Sequence, residues 1–247
     1  MKIERLVLIL FSVIIMAFAV NAQTLEDVLN KYYTAVNQEK LSTVQTITIK
    51  GRLLQGGAEI PVMLYQKRPH KGRMEGTFQG TTFISVHNGE KGWTINPFAG
   101  INDVRDMSKG EIDQMKEQSD MDGFLYNYKE KGYKLELMPD DSVNGKMAHV
   151  INVIRPDSNI ISHYISKEDS MIVKLKTMVN FQGNETEVET YMSDYRHMDG
   201  LVFPFKTENK VGGQTMLQIV IDEVKFGNDI PDEIFEKPVI KPDEGNK

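Results

Sequence analysis

Apolar residues recur along this chain at two spacings, and the switches between them mark its organisation. In "TLEDVLNKYYTAVNQEKL" (24–41), Leu25, Val28, Leu29, Tyr32 and Val36 fall three and four apart, the stripe of an amphipathic helix. Thr24 is placed to cap it, with Asp27 in the first turn. From residue 46 the period is two. Ile47, Ile49, Gly51 and Leu53 alternate with Thr46, Thr48, Lys50 and Arg52, and Ile60, Val62 and Leu64 with Met63 and Tyr65. Further strands are predicted over 72–79, 81–88 and 91–96, divided by the turn sequences "QG" and "NGEKG". The stretch 108–132 has almost no β-branched residues, and Ser108 with Glu111 fits a capping box. It predicts two short helices split at Gly123 or at Asp120–Asp122. Ile112 and Met115 edge the first, and Phe124, Leu125 and Tyr128 the second. Period two then returns, predicting strands at 133–139, 147–154, 160–166, 171–181, 186–195, 201–209 and 214–225.

These elements predict a mainly β (α+β) protein built on one antiparallel sheet of ten or more strands. A sheet that large does not stay flat. It should curl strongly, with the two helical segments covering one face and a cavity enclosed on the concave side. No repeat of fixed period and no composition break divides the chain. The expected organisation is a signal peptide at 1–22, a single domain at 23–238 and a disordered tail at 239–247, where the sequence turns Pro-rich and charged.

The N-terminus adds a compartment. A charged start, an apolar run from Leu6 to Val20 and a small-residue exit at Ala22 form the layout of a cleaved secretory signal. The run is shorter than the ~20 residues that span a bilayer. No cysteine follows it, and the 247-residue chain has none, so disulfides and thiolate chemistry are excluded and stability must come from a core. Net charge is −6, and the signal's Lys2, Arg5 and Glu4 contribute +1, leaving the exported part near −7. That balance argues against nucleic-acid partners and against general adhesion to anionic membranes.

Catalytic patterns are missing where they would be legible. His70, His87, His149, His163 and His197 have no metal-site spacing, and no metal or cofactor is expected. There is no G-x-S-x-G elbow and no phosphate-cradling glycine motif. The acidic runs at 119–122, 139–141 and 242–244 lack calcium-loop spacing and read as solvated turns, while Asn184 matches a glycosylation acceptor only weakly. His149 and His163 alternate within strands as a paired surface or core feature.

One region carries more. Residues 65–98 read "YQKRPHKGRMEGTFQGTTFISVHNGEKGWTINPF". The order Lys-Arg-Pro, Asn-Gly hairpin, Trp strand, Asn-Pro-Phe resembles the outer-membrane lipoprotein carriers of the LolA type, most clearly over 24–105. "DIPDEIFEKP" near the end is similar to that family's closing segment. Where the family has Tyr before Asn-Pro this chain has Ile95, which would shape the mouth differently. The resemblance implies an incomplete barrel with a helical lid and no catalysis. Its members take acylated lipoproteins from an inner-membrane ATP-driven exporter to an outer-membrane acceptor. It also implies that Arg68, on the family's Lys-Arg-Pro arginine, bonds lid carbonyls and holds the cavity shut.

The expected function is therefore a monomeric periplasmic carrier of lipoprotein or lipid acyl chains. Burial is worth about 0.8 kcal/mol per CH₂, so such anchors cannot cross water unaided. The alternatives are an envelope sensor or interaction protein on the same scaffold, or an exported glycan-active enzyme. Phe78, Phe83, Trp93 and Phe98 are candidate cavity walls, or else pack under the first helix with Leu29 and Tyr32. Ile112, Met115, Phe124, Leu125 and Tyr128 are candidate lid residues, and Arg73 reads as a strand-end charge. Methionines, 12 of 14 beyond the signal, fill irregular space and adapt to flexible ligands.

Overall fold

The computed structural model describes residues 23–181 and 184–239. The expected signal peptide and the tail from 240 onward lie outside the described residues. Helix α1 (Leu25–Val36) starts at Thr24, whose side chain accepts from the Asp27 amide at 3.1 Å while Asp27 accepts from the Thr24 amide. The predicted single helix over 24–41 breaks at Asn37, which adopts a left-handed φ of 56° and closes α1 before α2 (Gln38–Thr43) begins.

Thirteen strands follow: β1 (Thr46–Gln55), β2 (Ala58–Lys67), β3 (Lys71–Phe78), β4 (Thr81–His87), β5 (Gly92–Asn96), β6 (Ile101–Asp106), β7 (Lys134–Val143), β8 (Lys146–Ile154), β9 (Ile160–Ser166), β10 (Ile172–Phe181), β11 (Asn184–Met198), β12 (Leu201–Val211) and β13 (Gln214–Phe226). Helix α3 (Lys109–Gln118) lies between β6 and β7. The sequence predicts all of the strands but β6, where Asn102, Asp103, Arg105 and Asp106 leave only Ile101 and Val104 as apolar markers.

The strand order is β6-β5-β4-β3-β2-β1-β13-β12-β11-β10-β9-β8-β7, antiparallel throughout. Every neighbour is consecutive in sequence except β1 and β13, so the chain runs outward to one edge, crosses through 107–133, and returns from the other edge. The sheet must curl. Ser119 in the crossing hydrogen-bonds His87 of β4, and Glu117, two residues earlier, pairs with Arg155 just past β8. Those strands are nine steps apart in the order, about 43 Å on a flat sheet at ~4.8 Å per step.

Register then assigns the faces. Ile47, Leu64, Met74, Phe83 and His87 share the concave face with Ile151, His163 and Leu175. On it α1 buries Val28 and Leu29 against Ile151, Val153, Ile161 and Ile165, and Leu41 and Val44 pack near Ile47, Ile49 and Phe205. The convex face of β4 and β5 carries Ile84, Val86, Trp93 and Ile95. The chain after β13 folds back over these four as a strap, burying Ile230 and Phe235 on them. Lys67 and Arg73 fasten it by donating to the Ile230 and Ile234 carbonyls at 2.8 and 2.9 Å. Arg73 is thus a strap anchor as well as a partner of Glu75.

Phe235→Ala should cost roughly 3–5 kcal/mol. It should also move the emission of Trp93, the single tryptophan, to longer wavelength. Denaturant unfolding followed by fluorescence tests both, and an unchanged emission maximum would contradict the packing.

Candidate functional site

The crossing segment forms a roof over the concave face. Helix α3 opens with a capping box between Ser108 and Glu111, and Arg105 of β6 holds the same Glu111 carboxylate at 2.6 and 3.1 Å. The sheet beneath is made low so that the helix can approach. A Cβ on Gly92 would lie 2.7 Å from the Met107 sulfur and 3.1 Å from Ile112, and one on Gly72 would lie 2.9 Å from Ser119. Ile112 and Met115 are half-buried, and α3 buries none of its side chains fully. Its contacts are largely polar. Gln66 donates to the Gln118 carbonyl at 3.2 Å, and Glu117 pairs with Arg155 at 2.6 Å.

The second lid helix does not form. Residues 121–132 are successive turns, because Gly123 and Asn127 take φ of 64° and 51° and interrupt any helical ladder. Lys131 organises the turns by donating to the Gly123 carbonyl at 2.6 Å and pairing with Asp120. Leu125 is nearly inaccessible in the α1 core, where Tyr33 donates to its carbonyl at 2.6 Å. Phe124 lies edge-on to His163 at 5.8 Å, and Tyr128 packs against the same core.

Arg68 ties this roof to α2. Its Nε donates to the Val44 carbonyl at 2.7 Å and Nη2 to the Leu41 carbonyl at 3.2 Å. Nη1 and Nη2 grip both oxygens of Asp122 at 2.6 and 2.8 Å. Gln38 reaches the same carboxylate at 3.2 Å. The carbonyls that Arg68 holds belong to α2, and its roof partner is a carboxylate. A bidentate, largely shielded pair of this kind is far stronger than an exposed one.

Between α3 and β9–β11 lies a cavity of about 730 Å³. Its floor is mainly apolar, with Phe124, Ile161, Leu175, Val179 and Val188 beside Thr177 and Thr190, and its rim polar, with Asp113, Gln114, Glu117, Gln118, Arg155, Asp157 and Asn159. Of the sequence candidates only Phe124 lines it. Leu29 and Tyr32 belong to the core under α1. Phe78, Phe83 and Phe98 form a separate aromatic group with ring centroids 6.2 and 6.4 Å apart, and Phe98 stays exposed. Trp93 is neither a cavity wall nor under α1: its register with Val86 turns it to the convex face beneath the strap. The floor residues were visible only as alternating positions in β9–β11, and Arg155 only as part of a turn.

The architecture has solved counterparts. A DUF1329 family protein from Desulfovibrio piger matches with a TM-score of 0.58 at 13% identity, over 84% of this chain and 96% of that one. A Vibrio parahaemolyticus domain assigned by name to outer-membrane lipoprotein sorting matches at 0.56 and 12%, over 83% and 96%. A LolA superfamily protein from Nitrosomonas europaea matches at 0.56 and 14%, over 87% and 99%. The chain has the LolA fold. At these identities the likeness is one of fold alone. By sequence, no family model and no curated protein matches this LolA-like chain.

Two histidines under the roof are held neutral. Burial pushes His87 down to about 4, with Lys116 and His70 adding to the effect. Ser119 Oγ donates to the Lys116 carbonyl at 3.1 Å, so at 3.0 Å from His87 it accepts from Nε2–H, leaving Nδ1 bare and buried. Burial likewise lowers His163 to about 4, opposed by its bond with the Ile161 carbonyl. Both folded values lie below the ordinary histidine value of 6.5, so the unfolded chain binds more protons. Their stabilising effect is complete above pH 6.5 and declines as pH falls toward 4. Melting temperature should therefore drop between pH 7 and 5, and less steeply in His163→Gln; a flat profile over that range would refute the assignment.

Proposed function

We propose that this protein is a periplasmic carrier that shields acyl chains of lipoproteins or lipids in the cavity beneath α3, without covalent catalysis. The observation that carries this reading is the contrast between floor and roof. The floor is mainly apolar, whereas α3 buries no side chain fully and is fastened by Arg105–Glu111, His87–Ser119, Arg155–Glu117 and, just beyond it, Arg68–Asp122. Lifting such a roof exchanges polar contacts for water and exposes little core. A sheet-borne apolar surface then offers acyl chains an environment like the membrane they leave, so transfer costs little. The LolA-type fold and the lipoprotein-sorting name of one structural neighbour support the same reading. On it, donor and acceptor are an inner-membrane exporter and an outer-membrane receptor, and Arg68 is the latch of the empty state.

Photocrosslinkers at Leu175 or Val188 should capture acylated cargo, while one at Trp93 on the convex face should not. Native mass spectrometry without bound lipid, together with no binding of a fluorescent fatty-acyl probe, would end the carrier reading. Arg68→Leu removes the grip on Asp122 and should favour the open roof, slowing probe release several-fold in stopped-flow measurements. An unchanged release rate would remove the latch role and leave the carrier intact.

A further inference from the structure

Among the described residues Arg155 is the one cationic side chain lining the cavity, and its partners are divided between sheet and roof. Nη2 holds Glu117 of α3 at 2.6 Å and Asp157 of its own turn at 3.3 Å. Nε is buried and finds no acceptor among the described residues. The turn that presents it is fixed by the Arg155 amide donating to the Asn159 carbonyl at 2.9 Å, and by the Ser158 amide donating to the Arg155 carbonyl at the same distance. The guanidinium is thus anchored to the sheet, with an unused donor beside an apolar floor. Its stronger partner sits on the removable roof.

We propose that Arg155 recognises the acidic headgroup of a single-chain amphiphile, and that Glu117 occupies its place while the cavity is empty. This rests on the carrier reading and names the ligand class of that same site. Three observations support it. A volume of about 730 Å³ lies in the range of pockets that take one small ligand, of roughly 300–1,000 Å³. Next, the immediate charge balance is one cation against Glu117 and Asp157, so a further anion cannot simply be added and must replace one of them. Asp157 belongs to the same turn as Arg155, which leaves Glu117 as the one that departs. Lastly, burial raises the Glu117 carboxyl, with the Arg155 charge opposing, so its ionised form carries a desolvation penalty that its departure to solvent would relieve. Headgroup entry then breaks the contact between α3 and the β8–β9 turn, coupling ligand arrival to release of the roof. The recognising chemistry is a carboxylate or a phosphate monoester accepting from Nε and Nη2.

The test compares oleic acid, oleoyl lysophosphatidic acid and methyl oleate by displacement of a fluorescent acyl probe at pH 8, on the wild type, Arg155→Gln and Glu117→Gln. The wild type should bind the acids about tenfold or more tightly than the ester. Arg155→Gln should lose that preference, binding the acids no more tightly than the ester, and any binding of the ester also reports an intact cavity. Glu117→Gln should bind the acids several-fold more tightly, its competing charge being gone. Either order of the two acids supports the exchange and separates a fatty acid from a phospholipid source. Equal binding of acids and ester, a preference that survives in Arg155→Gln, or weaker acid binding in Glu117→Gln would overturn the headgroup assignment and leave the carrier reading standing. Failure of the fluorescent acyl probe itself to bind the wild type would overturn both.

Discussion

The pairing of β1 with β13 is the constraint on which the rest depends. It is the single junction between neighbours not consecutive in sequence, and it welds two meanders into one sheet. Thr46 illustrates the reach, donating from its hydroxyl to Asn228 across 182 residues at 2.6 Å. The approach is close enough that a Cβ on Gly51 would lie 2.6 Å from the Val220 carbonyl oxygen, where the register shifts at a bulge. Bulges bend strands and deepen twist, and here one lies at the centre of the curl. Because β1 and β13 lie at opposite ends of the described chain, their junction brings high contact order to a sheet otherwise built from local hairpins.

From that weld follows the position of the covered concave surface. Outward and return meanders end at opposite edges, and only 107–133 joins them, so a segment short relative to the sheet must span the concave side. The same segment cannot be both a well-packed core element and a cover for empty apolar space. The chain resolves this by division of labour. Leu125 and Phe124 anchor the turns in the α1 core, while α3 rests on glycine-lowered strands through polar contacts.

Much of this was legible in sequence, and the failures have definite causes. Period two fixed twelve strands, and both capping boxes are where Thr24/Asp27 and Ser108/Glu111 placed them. Alternation, however, tells which residues share a face without telling which face is concave. In β4, Ile84 and Val86 are as apolar as Phe83, and only register carried across β3 and β2 to Ile47 separates them. Trp93 inherited that ambiguity, and nothing in "NGEKGW" announces a strap arriving from residue 230. The node at Arg68 was reachable through a motif, but Asp122 read as a solvated turn because its partner is 54 residues away. Arg155 lay hidden for the same reason: a turn residue gains meaning only when a distant helix is folded above it.

The unclosed sheet has a cost that its edge strands address. A free edge offers a row of unpaired backbone groups to any passing strand. β6 answers with alternating charge, Asp103, Arg105 and Asp106, and with Lys237 of the strap paired to Asp106. β7 answers with Pro139 inside an irregularity between Met138 and Asp141 that breaks its line of donors. Such rims discourage polymerisation through sheet extension, so the sheet can stay open without another copy completing it.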